Sequence, residues 1–136
     1  MKNFKIMVTD DDPITRELIK YVIQSEGFEV ITAENGNDCI EKMRTQSIDL
    51  LILDFYMDEM DGLDVLKILR NNCDYKGFVI MCTSSAEKQN VKRFITEGID
   101  SYILKPIDSG RLITTVNNLL NIENCEKKNE IVEVEG

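Results

Sequence analysis

The chain has 136 residues, 43% of them hydrophobic, and a formal net charge of −9. That length carries one domain with a proper core and is too short for two comfortable ones. The acidic balance argues against gripping a nucleic-acid backbone, no apolar run nears the roughly 20 residues that span a bilayer, and no secretion pattern opens the chain, so a cytoplasmic protein without membrane or direct nucleic-acid partners is expected.

Residues 4–9 read as a first strand, in which Ile6-Met7-Val8-Thr9 runs into Asp10-Asp11-Asp12. Asp12-Pro13 suits the N-cap and first position of a helix. Ile14, Leu18, Ile19, Val22 and Ile23 follow at helical spacing, and Gly27 closes the helix. Residues 28–32 form a second strand, and a helix near 36–46 turns Ile40 and Met43 inward. Residues 49–53 form a third strand, whose run Leu50 to Leu53 ends directly before Asp54 and the carboxylate-rich loop Asp58 to Gly62. Gly62 opens a helix with Val65, Leu66 and Leu69 that runs out at Asn71-Asn72. A fourth strand, 78–82, ends in Thr83-Ser84-Ser85. Residues 87–97 form a helix with Val91, Phe94 and Ile95 on one face, stopped by Gly98. A fifth strand, 100–104, ends in Lys105-Pro106, and Leu112, Ile113, Val116, Leu119 and Leu120 mark a last amphipathic helix.

Short runs this uniformly apolar are strands buried on both faces, the habit of a parallel sheet. Five βα units of this length predict an α/β, doubly wound domain over residues 1–122, with helices on both faces and right-handed crossovers. Residues 123–136 are mostly charged and polar and read as a tail, a linker or a cut end. Cys39, Cys73, Cys82 and Cys125 show no close pairing and the chain has no histidine, so a zinc site is not expected.

In an open parallel sheet the strand ends meet at one edge, where such folds put their sites. Asp10, Asp11 and Asp54 would gather there, and three carboxylates so close repel one another unless a cation or a proton intervenes. Oxygen-only ligands favour magnesium, which binds through one or two carboxylates and a phosphoryl oxygen. Lys105 would offer that phosphoryl group an ammonium and Thr83 a hydroxyl. In-line positioning and charge neutralisation are most of what phosphoryl transfer needs. Asp54 would be the nucleophile, forming an acyl phosphate.

With Asp10-Asp11, Asp54, Met60-Asp61-Gly62, Thr83 and Lys105-Pro106 in this order and at these strand ends, the chain resembles the response-regulator receiver domain of two-component signalling over about residues 3–122. The resemblance implies a five-stranded sheet in order 2-1-3-4-5. It implies Asp54 as phosphoacceptor, Asp11 as a direct Mg2+ ligand, Asp10 as its partner, and the backbone carbonyl of Tyr56 as a further ligand. It implies that Lys105 pairs with the phosphoryl group before a cis bond to Pro106, that Thr83 shifts toward the phosphoryl oxygen, and that Tyr102 then turns inward. The fourth helix, fifth strand and fifth helix would carry the signal outward. Two features depart from or qualify the pattern: Asp58 stands where the family usually has proline, and Tyr56 and Ser85 occupy positions that tune phosphoryl lifetime.

The function so implied is a phosphorylation switch. A histidine kinase or phosphotransfer protein donates the phosphoryl group, and the chain, no conventional enzyme, catalyses its own Asp phosphorylation and dephosphorylation. Output is a homodimer through the fourth helix, fifth strand and fifth helix, a downstream protein, or an attached effector. Two other classes compete. A small-molecule, metal-dependent phosphatase would need a general acid–base and a substrate pocket, and no histidine or long lid insertion is evident. A degenerate receiver serving only as a docking module would be expected to lack Asp54 or Lys105, and both are present.

Overall fold

Strands and helices alternate from end to end: β1 (Lys5–Thr9), α1 (Pro13–Ser25), β2 (Glu29–Ala33), α2 (Gly36–Thr45), β3 (Leu50–Asp54), α3 (Gly62–Asn71), β4 (Phe78–Thr83), α4 (Lys88–Glu97), β5 (Ser101–Leu104) and α5 (Ser109–Leu120). The computed structural model describes residues 3–84 and 88–122. The expected tail at 123–136, Cys125, Ser85 and the first residue of the predicted fourth helix, Glu87, lie outside them. All strand pairs are parallel, in the order β2-β1-β3-β4-β5. No helix among the described residues is long and apolar enough to cross a membrane.

The strand period of two divides the buried side chains between two layers. Met7, Leu51, Leu53, Val79 and Met81 meet Met43 of α2, Leu66 and Leu69 of α3 and Phe94 of α4 on one face. Ile6, Val8, Leu50, Ile52, Ile80, Cys82 and Ile103 meet Ile19 and Ile23 of α1 and Leu112 and Val116 of α5 on the other. Because β1 and β3 are covered twice, they carry unbroken apolar runs, Ile6 to Val8 and Leu50 to Leu53, rather than alternating patterns. Burial also pushes the Cys39 thiol up to about 11 and the Cys82 thiol up to about 12, so both stay protonated packing groups.

Helix starts follow their caps. Asp12 accepts from the Thr15 amide ahead of Pro13 at the first helical position, Asn35 caps α2, and Asp61 and Asp64 form a reciprocal capping box on α3. Gly27, at φ +94°, follows the end of α1. Gly62 is required for a different reason. A Cβ there would stand 2.5 Å from the Asp54 carbonyl oxygen and 2.9 Å from the Phe55 Cα, so only glycine lets α3 start this close to the end of β3.

The predicted boundaries move by a residue or so. The second strand begins at Glu29 rather than at residue 28, and Asp54 and Thr83 belong to their strands as last members. Two helix faces differ more. Ile14 and Leu18, placed in the helical pattern of α1, are exposed, as is Ile95 of α4, while Ile19, Ile23 and Phe94 are the buried members of those helices.

Candidate functional site

The register of the sheet decides which side chains can meet. Thr9 lies opposite Leu53, Asp54 opposite Cys82, and Thr83 opposite Leu104. Asp10 therefore leaves β1 beside Asp54, and Lys105 leaves β5 beside Thr83. One carboxylate oxygen from each of Asp10, Asp11 and Asp54 lies within 4.8 Å of the others. Lys105 Nζ donates to Asp54 Oδ1 at 2.9 Å and to Asp10 Oδ2 at 3.1 Å. The expected convergence of two acidic neighbours, a third carboxylate and a lysine is thus present at one sheet edge.

The groups differ in burial. Asp10 and Asp54 are 1% and 4% exposed, whereas Asp11 is exposed. Burial raises Asp54 to about 6 against the pull of Lys105, with the neighbouring charges of Asp10 and Asp11 adding to the rise. For Lys105 burial works to lower the pKa, but its bonds and charge contact with Asp54 and Asp10 outweigh that and raise it. The ammonium is therefore firmly protonated and offsets part of the carboxylate repulsion.

The backbone around the acidic pair is closely held. The Asp10 amide donates to the Ala33 carbonyl at 3.3 Å. Asp10 Oδ1 accepts the Asp12 amide at 2.9 Å, and Asp11 Oδ2 accepts the Asp58 amide at 3.3 Å. Asp58, expected as an added negative charge near the site, thus also supplies an N–H that proline would lack. The carbonyl of Asp10 accepts from the guanidinium of Arg16 at 2.7 Å. Arg16 was not singled out by sequence pattern. The available signal was weak: a cation as fourth residue of a helix, where the dipole disfavours it, six residues after a buried aspartate.

Thr83 is fully buried, and its carbonyl accepts the Lys105 amide at 2.8 Å. The Lys105–Pro106 bond is cis. Tyr56 is 52% exposed and its ring meets that of Phe55 edge-on at 4.5 Å. Phe55 in turn meets the buried Phe94 of α4 edge-on at 4.9 Å. Tyr102, on β5, is 37% exposed. Among the described residues the donor set is all carboxylate oxygen, which suits a hard divalent cation of the magnesium type.

The sequence profile of response regulator receiver domains matches residues 6–117. The chemotaxis protein CheY of Bacillus subtilis is 35% identical over 118 residues, which cover 86% of this chain and 98% of that protein. The transcriptional regulatory protein CpxR of Escherichia coli is 34% identical over 116 residues, 85% of this chain but 49% of CpxR. The chain thus spans nearly all of one relative and about half of the other. Among solved structures, the receiver domain of the Francisella response regulator 1452 is similar with a TM-score of 0.82 and 29% identity, covering 88% of this chain and 98% of that one.

Proposed function

The chain belongs to the response regulator receiver domains, the phosphoaspartate receivers of two-component signalling, and we propose that Asp54 is its phosphoacceptor in a Mg2+-dependent switch. The single observation that carries this reading is the buried Asp54 carboxylate, held 2.9 Å from Lys105 and within 4.8 Å of Asp10 and Asp11. In the transfer step an Asp54 oxygen attacks phosphorus. The P–N bond to the donor's phosphohistidine breaks, and its electron pair returns to the imidazole. Asp11, Asp54 and the Tyr56 carbonyl would hold Mg2+ directly, with Asp10 behind them. The bound ion supplies charge neutralisation for the phosphoryl oxygens.

Lys105 then exchanges its bond to Asp54 Oδ1 for one to a phosphoryl oxygen, with little travel. Thr83, whose backbone accepts from the Lys105 amide, moves its hydroxyl toward the same group. Hydrolysis reverses the covalent change: water attacks phosphorus and Asp54 leaves as carboxylate. The chain in this sense catalyses its own modification and its removal. The route outward is packing. Phe55, next to Asp54, touches Phe94 of α4, and Tyr102 lies part-exposed on β5. A shift in the loop after Asp54 would reach the α4-β5-α5 surface, with dimerisation or effector binding as output. The donor is a histidine kinase or phosphotransfer protein.

Incubation with acetyl phosphate and Mg2+ tests this. The expected product carries one acid-stable, base-labile phosphate, and Asp54→Ala carries none. Many turnovers of the phosphodonor without a stable adduct would indicate a phosphatase instead. Neither adduct nor turnover would leave only a docking module.

A further inference from the structure

We infer that Arg16 is a positioning residue for the metal site, aiming the Asp11 carboxylate by holding the peptide group between Asp10 and Asp11. The inference rests on the reading that Asp10, Asp11 and Asp54 bind Mg2+. Its starting point is the 2.7 Å bond from the Arg16 guanidinium to the Asp10 carbonyl.

The peptide between Asp10 and Asp11 is planar. Its plane contains the Asp10 carbonyl, the Asp11 amide and both Cα atoms, so fixing that carbonyl fixes the direction in which Asp11 leaves β1. Asp10 has its own restraints: its amide on Ala33, its Oδ1 on the Asp12 amide, and its Oδ2 on Lys105. Asp11 has few. It is exposed, and among the described residues its carboxylate accepts a single hydrogen bond, at 3.3 Å, from the Asp58 amide. The orientation of the peptide behind it therefore bears directly on where its carboxylate can stand.

Arg16 is suited to hold that peptide. Its backbone amide donates to the Asp12 carbonyl at 2.9 Å while its side chain reaches the Asp10 carbonyl, so one residue grips the β1–α1 loop at two carbonyls. The grip is tied to α1, which is fixed through Ile19 and Ile23. The half-buried cation stands where the helix dipole disfavours it. A bond to a carbonyl beside three carboxylates supplies the local compensation.

Charge alone and positioning predict opposite signs. A nearby cation repels Mg2+, so its removal as a mere charge would tighten metal binding. Loss of an outer restraint on a ligand weakens it, commonly 10- to 100-fold. Mg2+ is titrated calorimetrically into the metal-free full chain, with thermal unfolding as the control for folding. Arg16→Met, which keeps a long stem without donors, is expected to raise the Mg2+ Kd about 10-fold. Arg16→Lys, which keeps the charge and one donor, is expected to stay closer to wild type than Arg16→Met does. If Arg16→Met loses cooperative unfolding, Arg16→Gln replaces it with the same direction expected. Wild type that takes up no Mg2+ removes the metal reading and the inference together. Wild type that binds, beside a folded variant that binds equally or more tightly, overturns the inference alone.

Discussion

Asp54 gathers opposing forces on one carboxyl group. Burial favours its neutral form, Lys105 favours the charged form, and the two neighbouring aspartates again favour the neutral one. Its folded pKa of about 6 lies above the ordinary 3.8. Between those values the native state binds more protons than the unfolded state, so the stability owed to this group falls as pH rises from about 4 to about 6, and stays low above that. In the metal-free protein, Asp54→Asn should therefore be more stable than wild type at pH 7.5, by on the order of 2 kcal/mol. The gap should close near pH 4, where the wild-type carboxyl is protonated. Urea unfolding of both proteins at both pH values measures this, and a gap unchanged by pH would refute it. The location of this site was legible in the residues because charged and hydroxyl groups follow directly on apolar runs at Asp10, Asp54, Thr83 and Lys105. Arg16 was not legible, because a side chain bonded to a backbone carbonyl leaves no type-specific pattern.

Strands were more legible than helix faces, for a geometric reason. Strands buried on both sides leave no choice of face, so Leu50 to Leu53 could only be core. A helix with apolar residues on two faces leaves the choice open. In α1, Ile14, Leu18 and Tyr21 recur at i, i+4 and i+7, while Ile19 and Ile23 lie about 140° to 180° around the axis at 100° per residue. The second pair faces the sheet, and the first three are 79%, 54% and 70% exposed. Substitution should separate the faces sharply. Leu18→Glu is expected to change stability by less than about 0.5 kcal/mol, as at most surface positions. Ile23→Ala, at a fully buried position, should lose about 2–5 kcal/mol. Chemical denaturation of both variants provides the comparison, and a larger loss at Leu18 than at Ile23 would mean that α1 packs through its other face.

Two core layers share one sheet, and the residual conflict at the edge that holds the site is electrostatic. The chain as a whole carries −9, and self-repulsion of that size destabilises any compact state. Two sources of strain are therefore superposed: a diffuse surface charge and a local triad with two of its three carboxylates buried. They respond differently to ions. Diffuse repulsion is screened by any salt, with a Debye length of about 10 Å at 0.1 M. The repulsion left in the triad after pairing with Lys105 is relieved by a cation or a proton that enters it, not by distant ions. At ten times its Kd, Mg2+ should add about 1.4 kcal/mol to stability, roughly 4 °C in Tm for a chain of this size. Sodium chloride at matched ionic strength should give only part of that rise. Protonation of Asp54 competes with the metal, so the Mg2+-specific increment should shrink as pH falls below about 6. Asp54→Ala, which removes one of the three carboxylates proposed to hold the ion, should diminish it at every pH. Thermal melts in the two salts at pH 7.5 and pH 5 separate the contributions. An equal rise with sodium and magnesium at pH 7.5 would mean that ordinary screening, rather than occupation of the site, accounts for the whole effect.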